Sequence, residues 1–248
     1  MINNLKQMNK LKYKNIKSFY YLRHVLAALV PRIFYRLRLQ SELKRIKYYD
    51  KEYIFSRLNY YNKKENRFTV SENSTTNKNF RRRQLGNIKE NIIKKNKEVK
   101  KHTTYFFDLY KLFSFFDNKK KLDFIFGDIT KAQKIPTFVK SRPIVNSDDS
   151  IILNLNKVRH FHFINDHKKF IDKKNKAVWR GYGENSKARQ YFLKNYHHIS
   201  MFNIGQTGPV LDAPWVKNFM PISKQLDYKF IFCIEGVDTA TSIKWVMS

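Results

Sequence analysis

Between Ser18 and Leu39 the apolar residues Tyr21, Leu22, Val25, Leu26, Leu29, Ile33, Phe34 and Leu37 recur at steps of three and four, with Arg23, Arg32, Arg36 and Arg38 among them. That period predicts a helix with an apolar face rimmed by cations, interrupted at Pro31, whose ring removes a backbone donor. Such a face has two uses: it lies on an anionic bilayer, or it packs on its own domain. The uncharged run Val25 to Val30 falls far short of the roughly 20 residues a spanning helix needs, so neither a membrane span nor a signal peptide is expected.

From Asp50 to Lys101 the chain is polar and rich in Asn and Lys, with a loop expected at Ser71 to Asn79 and a basic segment opening at Arg81 to Arg83. Tyr105 to Phe116 is then strongly apolar and aromatic. The runs Leu122 to Asp128, Pro136 to Lys140 and Ile151 to Leu155 read as buried strands, the first ending in a tight turn. They are short and continuous instead of alternating, which suits a parallel sheet covered on both faces.

In the last hundred residues strand and helix signals alternate. Strands are expected at Ala177 to Arg180, His198 to Asn203 and Tyr228 to Ile234, and helices at Lys187 to Asn195 and Ile222 to Gln225. A final helix is expected through Met247 with Asp238 as its N-cap. This alternation predicts an α/β fold of the doubly wound type.

Composition changes the picture in two respects. A formal net charge of +30 over 248 residues favours polyanionic partners such as nucleic acid, an anionic membrane face or a phosphorylated glycan, although the Lys, Asn and Ile excess is also what an A- and T-rich coding sequence produces. The lone Cys233 lies in an apolar run, so an intramolecular disulfide and a cysteine metal cluster are excluded, and a reducing, cytoplasmic setting fits.

Two segments carry candidate chemistry. In AVWRGYGENSKARQYF, Ala177 to Phe192, Gly181 and Gly183 allow a sharp turn and close approach of a ligand, a helix start follows, and Arg180 and Arg189 supply cations. This arrangement suits a pyrophosphate, although the third glycine of a dinucleotide fingerprint is missing. In EGVDTATS, Glu235 to Ser242, small residues would line a first helical turn and leave its N–H groups open to an anion, with Lys244 in reach.

Taken in order, Gly127 and Asp128, Lys140 to Pro143, Leu153 to Phe161, Trp179 to Gly181, Arg189, Tyr228 and Lys229, and Glu235 to Trp245 resemble the motifs of glycosyltransferase family 90, the capsule-associated and lipopolysaccharide-modifying transferases. The resemblance covers residues 120 to 248. It implies an inverting transferase of the GT-B type, with two Rossmann-like domains facing a cleft. On that reading residues 1–45 form a basic amphipathic helical segment, 46–160 an acceptor-side domain and 161–248 a nucleotide-sugar domain. Family members continue beyond the point where this chain stops, so the resemblance also implies an incomplete donor domain.

Carried over by residue, Asp128 would be the general base. Trp179, Arg180, Gly181, Arg189, Lys229, Glu235, Gly236, Asp238, Ser242 and Lys244 would surround the donor, and Lys140 and Arg142 the acceptor. The donor would be a UDP-sugar serving as co-substrate, the acceptor a lipid-linked or phosphorylated glycan, and the site of action the inner face of the cytoplasmic membrane. No Asp-x-Asp pair is present to anchor a divalent cation under the donor, so no metal is expected. His160 and His162 would share one face of a strand, but with no cysteine nearby they are not read as a metal site. The rival is a basic nucleic-acid-binding protein. No compact nucleic-acid motif is visible and most aromatics lie in apolar runs, so nucleic acid is not the expected partner.

Overall fold

The computed structural model describes residues 17–80, 103–160, 164–184, 186–208 and 212–248. The Arg81 to Arg83 segment and residues 161–163, His162 among them, lie outside them. The chain divides into two compact units, whose described parts meet at Lys157 and Val158.

In the first unit the expected amphipathic helix is two helices, α1 (Lys17–Leu29) and α2 (Arg32–Arg45). Pro31 sits between them in an extended conformation, φ −57° and ψ 143°. α3 (Lys51–Tyr61) starts at Asp50, whose carboxylate accepts from the Tyr53 N–H at 2.8 Å, an N-cap. β1 (Thr75–Thr76) pairs antiparallel with β2 (Lys121–Leu122), and β3 (Thr137–Val139) pairs in parallel with β4 (Ser150–Ile152). The predicted strand from Leu122 to Asp128 is shorter than expected. Past β2 only Phe124 bridges to Phe138, and Gly127 then turns the chain at φ +100°, a conformation that favours glycine.

Between β1 and β2 in sequence lies α4 (Thr103–Phe113), buried on nearly every side, and its Tyr105, Phe106, Leu109, Tyr110 and Phe113 form the core with Phe80, Leu122 and Leu155. Asn77 closes this helix. Its buried amide donates to the carbonyls of Phe113, Phe116 and Asp117 at 2.9 to 3.1 Å and so fixes the chain as it leaves the helix.

The second unit begins within the short helix α5 (Lys157–His160), so His160 lies at a helical turn and not on the strand that was expected. β5 (Lys174–Gly181), α6 (Lys187–Tyr196), β6 (Phe202–Gln206), α7 (Ile222–Gln225), β7 (Tyr228–Ile231) and α8 (Ile243–Val246) follow. All three strands are parallel in the order β6-β5-β7. The core beneath them is Trp179, Leu193 and Ile204, with Phe192, Phe202, Trp215 and Phe232 packed against it.

The structure corrects two sequence expectations here. β6 starts at Phe202 and not His198, because Phe202 N–H bonds back to Ile199 O at 2.9 Å and closes a turn first. The last helix is one turn, from Ile243, with Ser242 and not Asp238 at its N-cap. The β-branched Thr239 and Thr241 favour extended backbone, and the buried Trp245 anchors the turn that does form. The α/β class stands, with small parallel sheets in both units.

Candidate functional site

β5 is the central strand of its sheet: the chain leaves it for β6 on one side and later returns as β7 on the other. The strand order therefore reverses at the carboxyl ends of β5 and β7, the place where open α/β sheets hold ligands. Arg189, in the first turn of α6, occupies it. Its Nε and Nη2 donate to Ile234 O at 3.2 and 2.9 Å, and its Nη1 donates to Tyr182 O at 2.8 Å. One guanidinium thus ties together the two segments leaving β5 and β7.

The neighbours explain why these residue types stand there. Trp179 is buried at 3% exposure and carries the Arg189 guanidinium 5.8 Å above its ring, a cation–π contact. A Cβ at Gly181 would stand 2.6 Å from Trp179 Cζ2, so the indole lies where a side chain would be. A Cβ at Gly236 would meet the Arg189 guanidinium at 3.2 to 3.3 Å, so glycine lets that segment pass close to the cation. Ser186 caps α6 by accepting from Arg189 N–H at 3.3 Å, and its hydroxyl donates to Glu235 O at 3.0 Å. Burial lowers the pKa of Arg189, yet a guanidinium stays charged.

The structure therefore brings Trp179, Gly181, Arg189, Gly236 and the Glu235 backbone together. Arg180 leaves the opposite face of β5, as strand alternation requires. Its Nη1 donates to Trp179 O and Asn203 O at 2.8 and 2.7 Å, its Nη2 to Asn203 Oδ1 at 2.9 Å and its Nε to Asn218 O at 3.3 Å. Lys217, which the sequence did not single out, joins it. Lys217 Nζ donates to Asn203 Oδ1 at 3.4 Å, and its side chain crosses Gly205, where a Cβ would come within 2.7 Å. Burial, and then the charge of Arg180, lower the Lys217 pKa. Among the described residues neither arginine forms an ion pair.

The remaining donor candidates stand on β7 and in the segment and turn that follow it. Lys229 holds its ammonium 5.4 Å over the Phe170 ring. Asp238 falls in the irregular segment after β7, while Ser242 and Lys244 belong to the single turn of α8, too short to present an aligned helix dipole.

In the first unit Asp128 follows Gly127. Lys140 Nζ donates to Asp128 Oδ1 at 2.5 Å, with the lysine side chain 4% exposed and the aspartate 43%. A buried ammonium thus steadies a carboxylate that solvent can reach. Arg142 bonds to Tyr60 O, to Tyr61 O at 3.5 Å and to Ser150 O at 3.3 Å, and so holds the C-terminal end of α3, where a cation complements the last carbonyls.

The chain is similar to the O-glucosyltransferase LpsA of Dichelobacter nodosus, at 30% identity over 237 residues that cover 94% of this chain and 69% of that protein. No family model and no solved structure matches it.

Proposed function

The chain belongs to the family of the O-glucosyltransferase LpsA, and on that premise we propose that it is an inverting glycosyltransferase that moves a sugar from a UDP-sugar to a lipopolysaccharide-type acceptor. The observation that carries the reading is the Arg189 guanidinium lodged at the carboxyl ends of parallel strands β5 and β7 and flanked by Gly236. A diphosphate there would meet a fixed cation beside a backbone segment that Gly236 leaves without a side chain. Charge developing on the leaving diphosphate is what such preorganised donors stabilise.

Asp128 is the proposed base. Its carboxylate takes the proton of the acceptor hydroxyl as that oxygen bonds to the anomeric carbon, while the bond from that carbon to the diphosphate oxygen breaks and its electron pair leaves with UDP. Lys140 holds the carboxylate in place by the 2.5 Å bond, and Arg142 fixes the C-terminal end of α3. The donor contacts extend on this reading to Asp238, Ser242 and Lys244. Arg180 supports the site through the strand it braces.

Calorimetric titration of the chain with UDP tests the reading. We expect saturable binding that Arg189→Ala weakens by about 10- to 100-fold, the equivalent of one charged hydrogen bond. Absent binding, or unchanged affinity in a folded variant, would overturn it.

A further inference from the structure

α1 is apolar on two opposite faces, and only one of them is used within its unit. Tyr20, His24 and Ala28, at four-residue steps, face α4: Tyr20 OH donates to Asp108 Oδ1 at 2.9 Å and to Thr104 O at 3.1 Å, and the His24 ring lies 5.5 Å from Phe107. Phe19, Leu22, Leu26 and Leu29 follow steps of three, four and three on the other side, and their exposures lie between 56% and 72%. α2 repeats the arrangement. Tyr35 is buried, donates its hydroxyl to Ala27 O at 2.6 Å and meets Phe115 edge-on at 5.5 Å, while Arg36 pairs with Asp117 at 2.7 Å. Ile33, Phe34 and Leu37 stand opposite Tyr35 and are exposed.

These outward side chains are therefore not the visible half of a core. Soluble monomers rarely leave a contiguous apolar patch of this kind uncovered. The charges around it point to what covers it. From residue 17 to residue 49 the cations are Lys17, Arg23, Arg32, Arg36, Arg38, Lys44, Arg45 and Lys47, and the acids are Glu42 alone. Glu42 is itself held between Arg38 at 3.3 Å and Arg45 at 3.0 Å. A second copy of a chain with net charge +30 would bring like charges together, whereas an anionic bilayer matches both the apolar stripe and its rim. Among the described residues no helix is long and apolar enough to cross a membrane, so the fit is to helices lying in the plane of the interface.

We propose that the outward face of α1 and α2 is a docking surface for an anionic lipid bilayer, with Leu22, Leu26, Leu29, Ile33, Phe34 and Leu37 entering the headgroup boundary and the exposed Arg23, Lys44 and Lys47 contacting lipid phosphates. The geometry is that of an interfacial amphipathic helix whose polar anchor is the body of its own domain. Such a surface would keep an enzyme beside a lipid-linked acceptor, but it does not depend on the chemistry the enzyme performs.

Flotation of the full chain with vesicles of phosphatidylglycerol and phosphatidylcholine, compared with phosphatidylcholine alone, tests it. We expect binding to the anionic vesicles that falls as salt is added. Leu26→Ser combined with Leu29→Ser should lower partitioning by about 100-fold, about ten-fold for each exposed leucine, with no change in melting because both side chains are exposed. Arg23→Gln combined with Lys47→Gln should lower it by about 25-fold, five-fold per cation. A chain that fails to float with anionic vesicles overturns the proposal, as does one that floats equally well after the leucine substitutions. So does a wild-type dimer, seen by sedimentation equilibrium, that those substitutions split. UDP titration without lipid is independent of all these outcomes, so failure here leaves the donor site untouched.

Discussion

Gly181→Ala places a methyl group against the core that carries the candidate site. Its Cβ would stand 2.6 Å from Cζ2, 3.1 Å from Cη2 and 3.2 Å from Cε2 of Trp179. The clash lies with a ring and not with a flexible chain end, and the ring is buried against Phe192 at 6.1 Å and beneath the Arg189 guanidinium. Overpacking of this kind costs about 1–3 kcal/mol, and the stiffer unfolded chain returns about 0.4–1 kcal/mol, so a net loss of about 1–2 kcal/mol is expected. Trp179→Phe, which removes the clashing atoms, should by itself cost about 1–2 kcal/mol through the void it leaves. In the double variant the alanine methyl fills part of that void, so the combined cost should fall short of the sum by about 1 kcal/mol or more. Urea unfolding followed by far-ultraviolet circular dichroism measures all four proteins without relying on the tryptophan signal. UDP titration of Gly181→Ala should show weakened binding as well, because the ring that moves supports Arg189. Costs that add to within about 0.5 kcal/mol, or a Gly181→Ala protein as stable as its parent, would refute the packing argument.

Two further outcomes follow from the same geometry. Asp128→Asn should slow UDP release from UDP-glucose in the presence of lipopolysaccharide acceptor by about 10²–10⁴-fold while leaving UDP affinity unchanged, and full transfer in that variant would remove Asp128 from the mechanism. For pH, burial pushes the His24 imidazole below its ordinary 6.5. A depressed pKa means the group contributes fully above the unfolded value and loses that contribution as pH falls through the folded one. Nearby Asp108 acts in the opposite sense, since burial raises its carboxyl and acidification relieves its charge; Lys111 and Arg23 also face His24. Thermal melting should therefore lose an acid-side decline below about pH 6.5 when His24 is replaced by Phe, and an identical profile in the two proteins would exclude the histidine as its source.

Much of the local structure is legible in the sequence. The three- and four-residue spacing from Ser18 to Leu39, with Pro31 inside it, marks two helices meeting at a proline, and the alternation after Ala177 marks a parallel sheet with β5 ending at Gly181. These features follow from backbone sterics and from neighbours within one or two turns, which sequence order fixes directly. The spacing of α1 shows one apolar face but not the second, of Tyr20, His24 and Ala28, that packs on α4: that depended on Asp108, hidden in an aromatic run, receiving the Tyr20 hydroxyl from 88 residues away. Arg189 reads as a candidate cation in the sequence, yet its place at the carboxyl ends of β5 and β7 comes from Ile234 O, 45 residues further on. Lys217 gave no signal at all, because its neighbours Asn203 and Gly205 adjoin it only once β6 and the segment after it have packed. The sequence by itself determined most of the elements and their chemical inventory. Tertiary structure alone decided which faces are buried and which cations converge, because closure of the sheet and core brings together groups whose pairing no local period encodes.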